Sequence, residues 1–150
     1  MDFMKQLKIT SPIFEHNQQI PEKYGCKNHA PNPPLTIEGT PSETKTLAVI
    51  MDDPDAPSGT FDHWVVWNIP PSTSKIAENS VPGTEGVNSS GERSYTCPYP
   101  PSGTHRYFFK VFALNVMLDL SADSGKRDLE KAMKGHILAQ GELVGLFTRR

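Results

Sequence analysis

Two short stretches carry most of the groups able to do chemistry, residues 51–64 (MDDPDAPSGTFDHW) and 95–109 (YTCPYPPSGTHRYFF). In each, ionisable residues stand at the border of an apolar run: Asp53 at the end of one, His63 at the start of the next, His105 and Tyr107 inside a third. Imidazole N–H and phenol O–H groups are donors, and donors arriving from several directions suit a phosphate-like anion. The turn 98–101 (PYPP) is rigid and poor in N–H groups, so the one on Tyr99 can be aimed at such an anion with little ordering cost. Asp53 fits the same site if it accepts from an imidazole and fixes its tautomer, or accepts from a protonated phosphate or an ethanolamine head.

Each of these residues also has a plainer role. Asp53 before Pro54 can simply end a strand and hold its own turn. A single His63 or His105 is more often a structural histidine than a ligand, and a single Tyr107 in a strand is ordinarily a core aromatic. His63 and Tyr107 are not expected to fill the centre of the core. Arg106, opposite His105, is expected to pair with the loop acids. His136 reads as packing, and His16 and His29 have no evident partner. Two other chemistries use the same residues: a hydrolase with a His base oriented by Asp53, and a metal site of two His and one Asp. No GxSxG elbow is present to supply a nucleophile, and Tyr107 with a donor-rich turn suits an anion better than a metal. The expectation is binding without catalysis, metal or cofactor.

Apolar runs must position these groups. Residues 46–51 (TLAVIM) read as a buried strand that stops at Asp52-Asp53-Pro54. In 63–70 (HWVVWNIP), alternation sets His63, Val65, Trp67 and Ile69 on one face and Trp64, Val66 and Asn68 on the other. Residues 105–116 form the strongest strand signal, with His105, Tyr107, Phe109 and Val111 on one face. A short strand is expected at 7–10 and an irregular excursion over 70–91. Leu129, Ala132, Met133, His136 and Ile137 follow helical spacing, which predicts a helix over 126–139. Ser124 or Gly125 would cap its start and Gly141 its end, and 143–148 would return to the sheet.

The 14 prolines in 150 residues argue against a helical bundle and for a mainly β, loop-rich single domain over 1–150. A net charge of −2 with scattered Lys and Arg removes the electrostatic footprint of nucleic-acid binding. No apolar run is long enough for a membrane span, and residues 1–10 lack the apolar centre of a secretion signal. The cytoplasm is the expected address, and free thiols are then the expected state of Cys26 and Cys97. A nearby His105 could still lower the Cys97 pKa and make it reactive.

On these segments the chain resembles the phosphatidylethanolamine-binding protein family, and within it the bacterial Raf kinase inhibitor-like branch (YbhB/YbcL type). The first matching motif is Asp53-Pro54-Asp55-Ala56-Pro57 followed by His63-Trp64; the second is Pro98-Tyr99-Pro100-Pro101-Ser102-Gly103 followed by His105-Arg106-Tyr107. Ile20-Pro21, Pro33-Pro34-Leu35 and the stretch 131–147 (KAMKGHILAQGELVGLF) extend the likeness over nearly the whole chain. The resemblance implies two antiparallel β-sheets with Greek-key-like connections, short flanking helices including one near the C-terminus, and a cis bond at Ala56-Pro57. It implies an anion pocket on Asp53, His63, His105 and Tyr107, with Pro98, Tyr99, Pro100 and Pro101 in its turn. The implied guests are a phosphorylated small molecule, a phospholipid head group or a phosphorylated side chain, with a protein kinase or phosphoprotein as partner. Two places depart from the family pattern: Cys97 replaces a glycine, and Gly25-Cys26-Lys27-Asn28 replaces T-C-D-G.

Overall fold

The computed structural model describes residues 5–149, except for the side chain of Asn28. The leader reading of residues 1–10 rests partly on 1–4, outside the described residues. Strand β5 (Thr46–Asp53) is buried at all eight positions, as its β-branched and apolar run requires. It lies between β6 (Phe61–Ile69) and β9 (Thr104–Leu114), antiparallel to both. Beyond β9 runs the long β10 (Ile137–Thr148), and beyond β6 the short β8 (Thr84–Glu85). Two short N-terminal strands, β1 (Lys5–Gln6) and β3 (Gln18–Gln19), pair parallel with β10 at Ala139–Gln140 and at Gly145–Leu146. A second sheet joins β2 (Lys8–Thr10), β4 (Leu35–Glu38) and β7 (Lys75–Ile76), all antiparallel.

The mainly β, two-sheet fold expected from the sequence is therefore present, with one correction. The larger sheet is mixed, because β1 and β3 run alongside β10 rather than against it. Gly141 permits one of these approaches: a Cβ there would lie 2.2 Å from the Leu7 carbonyl oxygen.

Strict alternation along β5 divides the interior. Leu47, Val49 and Met51 join Ile9, Leu35, Ile37 and Ile76 of the small sheet in one apolar cluster. Ala48 and Ile50 face the other way, onto Leu129 and Met133 of helix α1 (Lys126–Met133). The same alternation sends Asp52 to the helix side, where it pairs with Lys110 and Lys126, and leaves Asp53 on the side facing the small sheet.

Helix α1 is shorter than its apolar spacing suggests. It starts after Gly125, whose N–H is accepted by Asp128 Oδ2, and it ends before Gly135 at φ 84°. His136 and Ile137 continue the helical period by coincidence, since Ile137 and Ala139 already pair with Leu114 and Ala113 of β9. Gly141 lies inside β10 and caps nothing. The excursion 70–91 is irregular apart from β7 and β8. No cis peptide bond occurs among the described residues, which corrects the expectation at Ala56-Pro57: the turn closes with a trans bond and a Gly59 N–H to Ala56 carbonyl link of 3.2 Å.

Candidate functional site

Asp53 ends β5 with both carboxylate oxygens occupied. Oδ1 accepts the Asp55 N–H at 2.8 Å, which shapes the turn, and Oδ2 accepts His105 Nδ1–H at 2.6 Å. Two residues after Asp53, Asp55 takes Arg106, the residue next to His105, in a fork: its oxygens accept the Arg106 backbone N–H at 2.9 Å, Nε at 3.0 Å and Nη2 at 2.9 Å. His105 and Arg106 point to opposite faces of β9, and the DPD turn holds both. The expected pairing of Arg106 with a loop acid is thus observed.

The Arg106 hydrogen bonds hold the Asp55 carboxyl down to about 2, against a smaller opposing effect of burial. A carboxylate lowered in this way adds stability that is complete above its ordinary value near 4 and is lost as the pH falls toward 2. Both partners face water, so the gain is small. Asp55→Ala is expected to lower the thermal midpoint only slightly at pH 7 and to flatten its fall between about pH 4 and 2. An unchanged acid slope in the variant would contradict this.

His63 reaches the same place through a backbone irregularity. Across β5, Met51 faces Trp64 and Asp52 faces Asp62, so His63 is an extra residue bulged out of the ladder. Strict alternation would put it with Val65 and Trp67 on the helix side. The bulge instead brings its ring to 5.3 Å from that of Tyr107 and 4.8 Å from that of Phe61. A second irregularity between Leu47 and Val49, with Asn68 at φ 54°, moves Ile69 to the inter-sheet cluster as well.

The His63 ring is locked by a loop. Its Nδ1–H donates to the Thr96 carbonyl at 2.7 Å, and the Thr96 N–H donates back to the His63 carbonyl at 2.9 Å. Thr96 is held in turn by the buried Asn88, whose Nδ2 donates to Thr96 Oγ1 and to the Ser94 carbonyl, both at 2.8 Å. Burial lowers the His63 pKa, against smaller opposing effects of the Thr96 carbonyl and of Asp53. The imidazole is therefore neutral at pH 7, with its proton on Nδ1 and a lone pair on Nε2.

Tyr107 is fully buried and belongs to the inter-sheet core, contrary to the expectation that it fills no central place. Burial, and then the nearby Asp53 carboxylate, push its phenol pKa up, so it stays neutral. Its hydroxyl lies between the Asp53 carboxylate and the Tyr99 N–H. Tyr99's N–H thus serves Tyr107 directly, and Tyr107 acts as a positioning residue for Asp53. Asp53, His63 and His105 each keep less than a tenth of their surface exposed.

The four side chains expected to converge are thus brought together at one end of β5, β6 and β9. In the turn expected to join them, Pro98 and Pro100 are buried, whereas Pro101 turns outward. Each imidazole has Nδ1 committed to an oxygen, which leaves Nε2 as the nitrogen open to a guest. Two of the other histidines have partners that the sequence did not suggest: His16 Nδ1 accepts the Val144 N–H at 3.1 Å, and His136, expected to pack, meets Asn115 Oδ1 through its Nδ1 at 3.0 Å. Sequence reading missed Thr96, Asn88 and Phe61. Asn88 opens an N-S-S-G turn, a local signal that was available.

The cysteines overturn an expectation. The Cys26 N–H donates to the Pro98 carbonyl at 3.0 Å, and this docking of the 3-10 turn Cys26–Asn28 brings the two Cα atoms to 5.1 Å, where a bridge can form. Cys26 and Cys97 are joined as a disulfide, so Cys97 is no reactive thiol. Cys97, which departs from the family's glycine, supplies one half of this link, and Cys26, which the T-C-D-G pattern keeps, supplies the other. The link ties the PYPP turn to the N-terminal segment, where a cavity of about 130 Å³ opens between the turn and the end of β10.

A family model described as Phosphatidylethanolamine-binding protein matches residues 10–148. Curated relatives named UPF0098 include one from Methanothermobacter thermautotrophicus, 42% identical over 95% of this chain and 99% of its own. Another, from Pyrococcus horikoshii, is 46% identical over 96% of this chain and 77% of its own. Among solved structures, a phosphatidylethanolamine-binding protein homologue from Chlamydia trachomatis superposes with a TM-score of 0.93 at 37% identity, covering 97% of this chain and 99% of that one. Escherichia coli YbcL, described as a member of the mammalian family, gives 0.88 at 25% identity, with 97% of this chain and 99% of that one covered.

Proposed function

This chain belongs to the phosphatidylethanolamine-binding protein family, and we propose that it binds, without turning over, a singly protonated phosphate or phosphomonoester at His63 and His105. The observation that carries the reading is the pair of imidazoles whose Nδ1–H groups are both committed, to Thr96 and to Asp53, which presents Nε2 of each to one guest. A neutral His63 accepts at Nε2 from a P–OH group. The same contact with the proton moved to the ring is an imidazolium donating to a dianion, so the His63 contact carries one proton in either description.

Binding rather than catalysis is favoured because, among the described residues, no hydroxyl or thiol is hydrogen-bonded to either imidazole. Asp53 has both oxygens engaged, and no group of three His, Cys, Asp or Glu side chains among the described residues is arranged to hold a metal ion. A phosphorylated metabolite and a phosphorylated side chain of a kinase or its target present this one chemical group, and a phospholipid head group presents it only where its phosphate is a monoester. No helix among the described residues is long and apolar enough to cross a membrane, and a cytoplasmic role for the pocket is part of the proposal.

The test is calorimetric titration with phosphoethanolamine between pH 5.5 and 8.5, with release of free phosphate followed in parallel. Phosphomonoesters lose their last proton near pH 6, so affinity is expected to fall as pH rises above about 6, approaching tenfold per unit by pH 8. Chelator should change nothing and no phosphate should be released. Affinity that rises with pH, or steady release of phosphate, overturns the reading.

A further inference from the structure

The cavity beside the disulfide is distinct from the histidine cluster, since none of Asp53, His63, His105 and Tyr107 lines it. Its floor is apolar and buried: Gly25, Pro98, Pro100 and the ring of Phe147. A Cβ at Gly25 would lie 2.3 Å from the tip of the Phe147 ring, so glycine is what lets the two walls meet. The rim is exposed and charged. Arg149 lies over the Tyr99 ring at 4.7 Å and sends one Nη1 bond of 3.4 Å to the Pro100 carbonyl, leaving most of the guanidinium donors for another acceptor. Lys27 adds a second cation, and Glu22 sets one carboxylate against the two.

We propose that this cavity is a second ligand site, for a six-membered aromatic ring bearing an anionic group, with the ring on Phe147 and the prolines and the anion on Arg149 and Lys27. Size supports the ring. The cavity measures about 130 Å³, and an apolar cavity of about 150 Å³ is known to hold benzene. Flat aromatic and proline walls favour a flat guest over a flexible chain, which loses rotational freedom on entry. The balance of two cations to one carboxylate favours an anionic substituent, carboxylate or phosphate. The Pro98–Pro100 turn that lines this cavity also carries the Tyr99 N–H that bonds the Tyr107 hydroxyl, so one rigid element touches both sites.

The experiment is an amide-resolved NMR titration of the whole chain with benzoate, with hexanoate and benzyl alcohol as the chain and neutral controls. Benzoate is expected to move the amides of residues 25–27 and 147–149 with a dissociation constant of about millimolar, as its small size dictates. Arg149→Gln, an exposed change, should weaken it about tenfold, whereas His63→Ala should leave it unchanged. Gly25→Ala, which drives Phe147 toward the cavity, should abolish it. Shifts centred on His63 and His105, equal binding of hexanoate or benzyl alcohol, or an Arg149→Gln protein that binds benzoate normally would each overturn the proposal. Phosphate binding at the histidines is read separately in the same samples, so either site can fail alone.

Discussion

His63→Ala is expected to weaken phosphate binding by roughly ten- to a hundredfold at pH 6.5, the size of one hydrogen bond to a charged group. The variant loses the Nε2 contact to the guest and nothing else that a guest touches. It also strands the Thr96 carbonyl and opens a small void beside Phe61 and Tyr107, so stability should fall by about 1–3 kcal/mol, short of unfolding. Calorimetry gives the affinity, and a denaturant midpoint gives the stability. His16→Ala serves as the matched control, because His16 bonds the Val144 N–H on the edge of β10 turned away from β9. Affinity that is unchanged in His63→Ala, or lowered equally in both variants, contradicts the assignment.

The largest stability effect is expected from the disulfide. Cys26 and Cys97 are 71 residues apart, and closing a loop of that length restricts the unfolded chain by about 4 kcal/mol on the chain-entropy account. Replacing both cysteines with serine should therefore lower the thermal midpoint by on the order of 10 °C. A dithiol reductant acting on the native chain should give the same loss, and reductant added to the double variant should do nothing more. The Cys26 N–H to Pro98 carbonyl bond survives the change, so the PYPP turn keeps one tie and the fold is retained. A midpoint that does not move under reductant or in the variant would show that the link carries no stability.

The strands that build the site were legible because each carries a period-two or fully apolar signal: β5 in TLAVIM, β9 in the alternation from His105, β6 in its paired tryptophans. What escaped needs information about a partner strand or a distant segment. The bulge at His63 exists only relative to β5, and without it alternation points the imidazole to the wrong side of the sheet. Helix α1 was overrun because His136 and Ile137 fit a helical period as well as a strand, and pairing with β9 decides between the two. The disulfide was missed by reasoning from compartment: a cytoplasmic address made thiols the default, whereas docking of the 3-10 turn Cys26–Asn28 onto Pro98 sets the two residues within reach.

The chemical roles were only partly legible. Spacing puts His105 and Tyr107 on one face, and the family resemblance groups Asp53 with them, but the phenol and the Tyr99 N–H turn out to serve Asp53 rather than a guest. Supporting residues such as Asn88 and Thr96 have no signature of their own, because their work is to hold one carbonyl in front of one imidazole.

Imidazole nitrogen NMR during a phosphate titration at pH 6.5 measures the proposed contact at its atoms. The geometry predicts that the Nε2 signals of His63 and His105 shift together and saturate at one equivalent, their Nδ1 protons staying bonded to Thr96 and Asp53, while His16, His29 and His136 remain still. Saturating phosphate that leaves both Nε2 signals unmoved, or that moves all five histidines alike, contradicts a shared anion site.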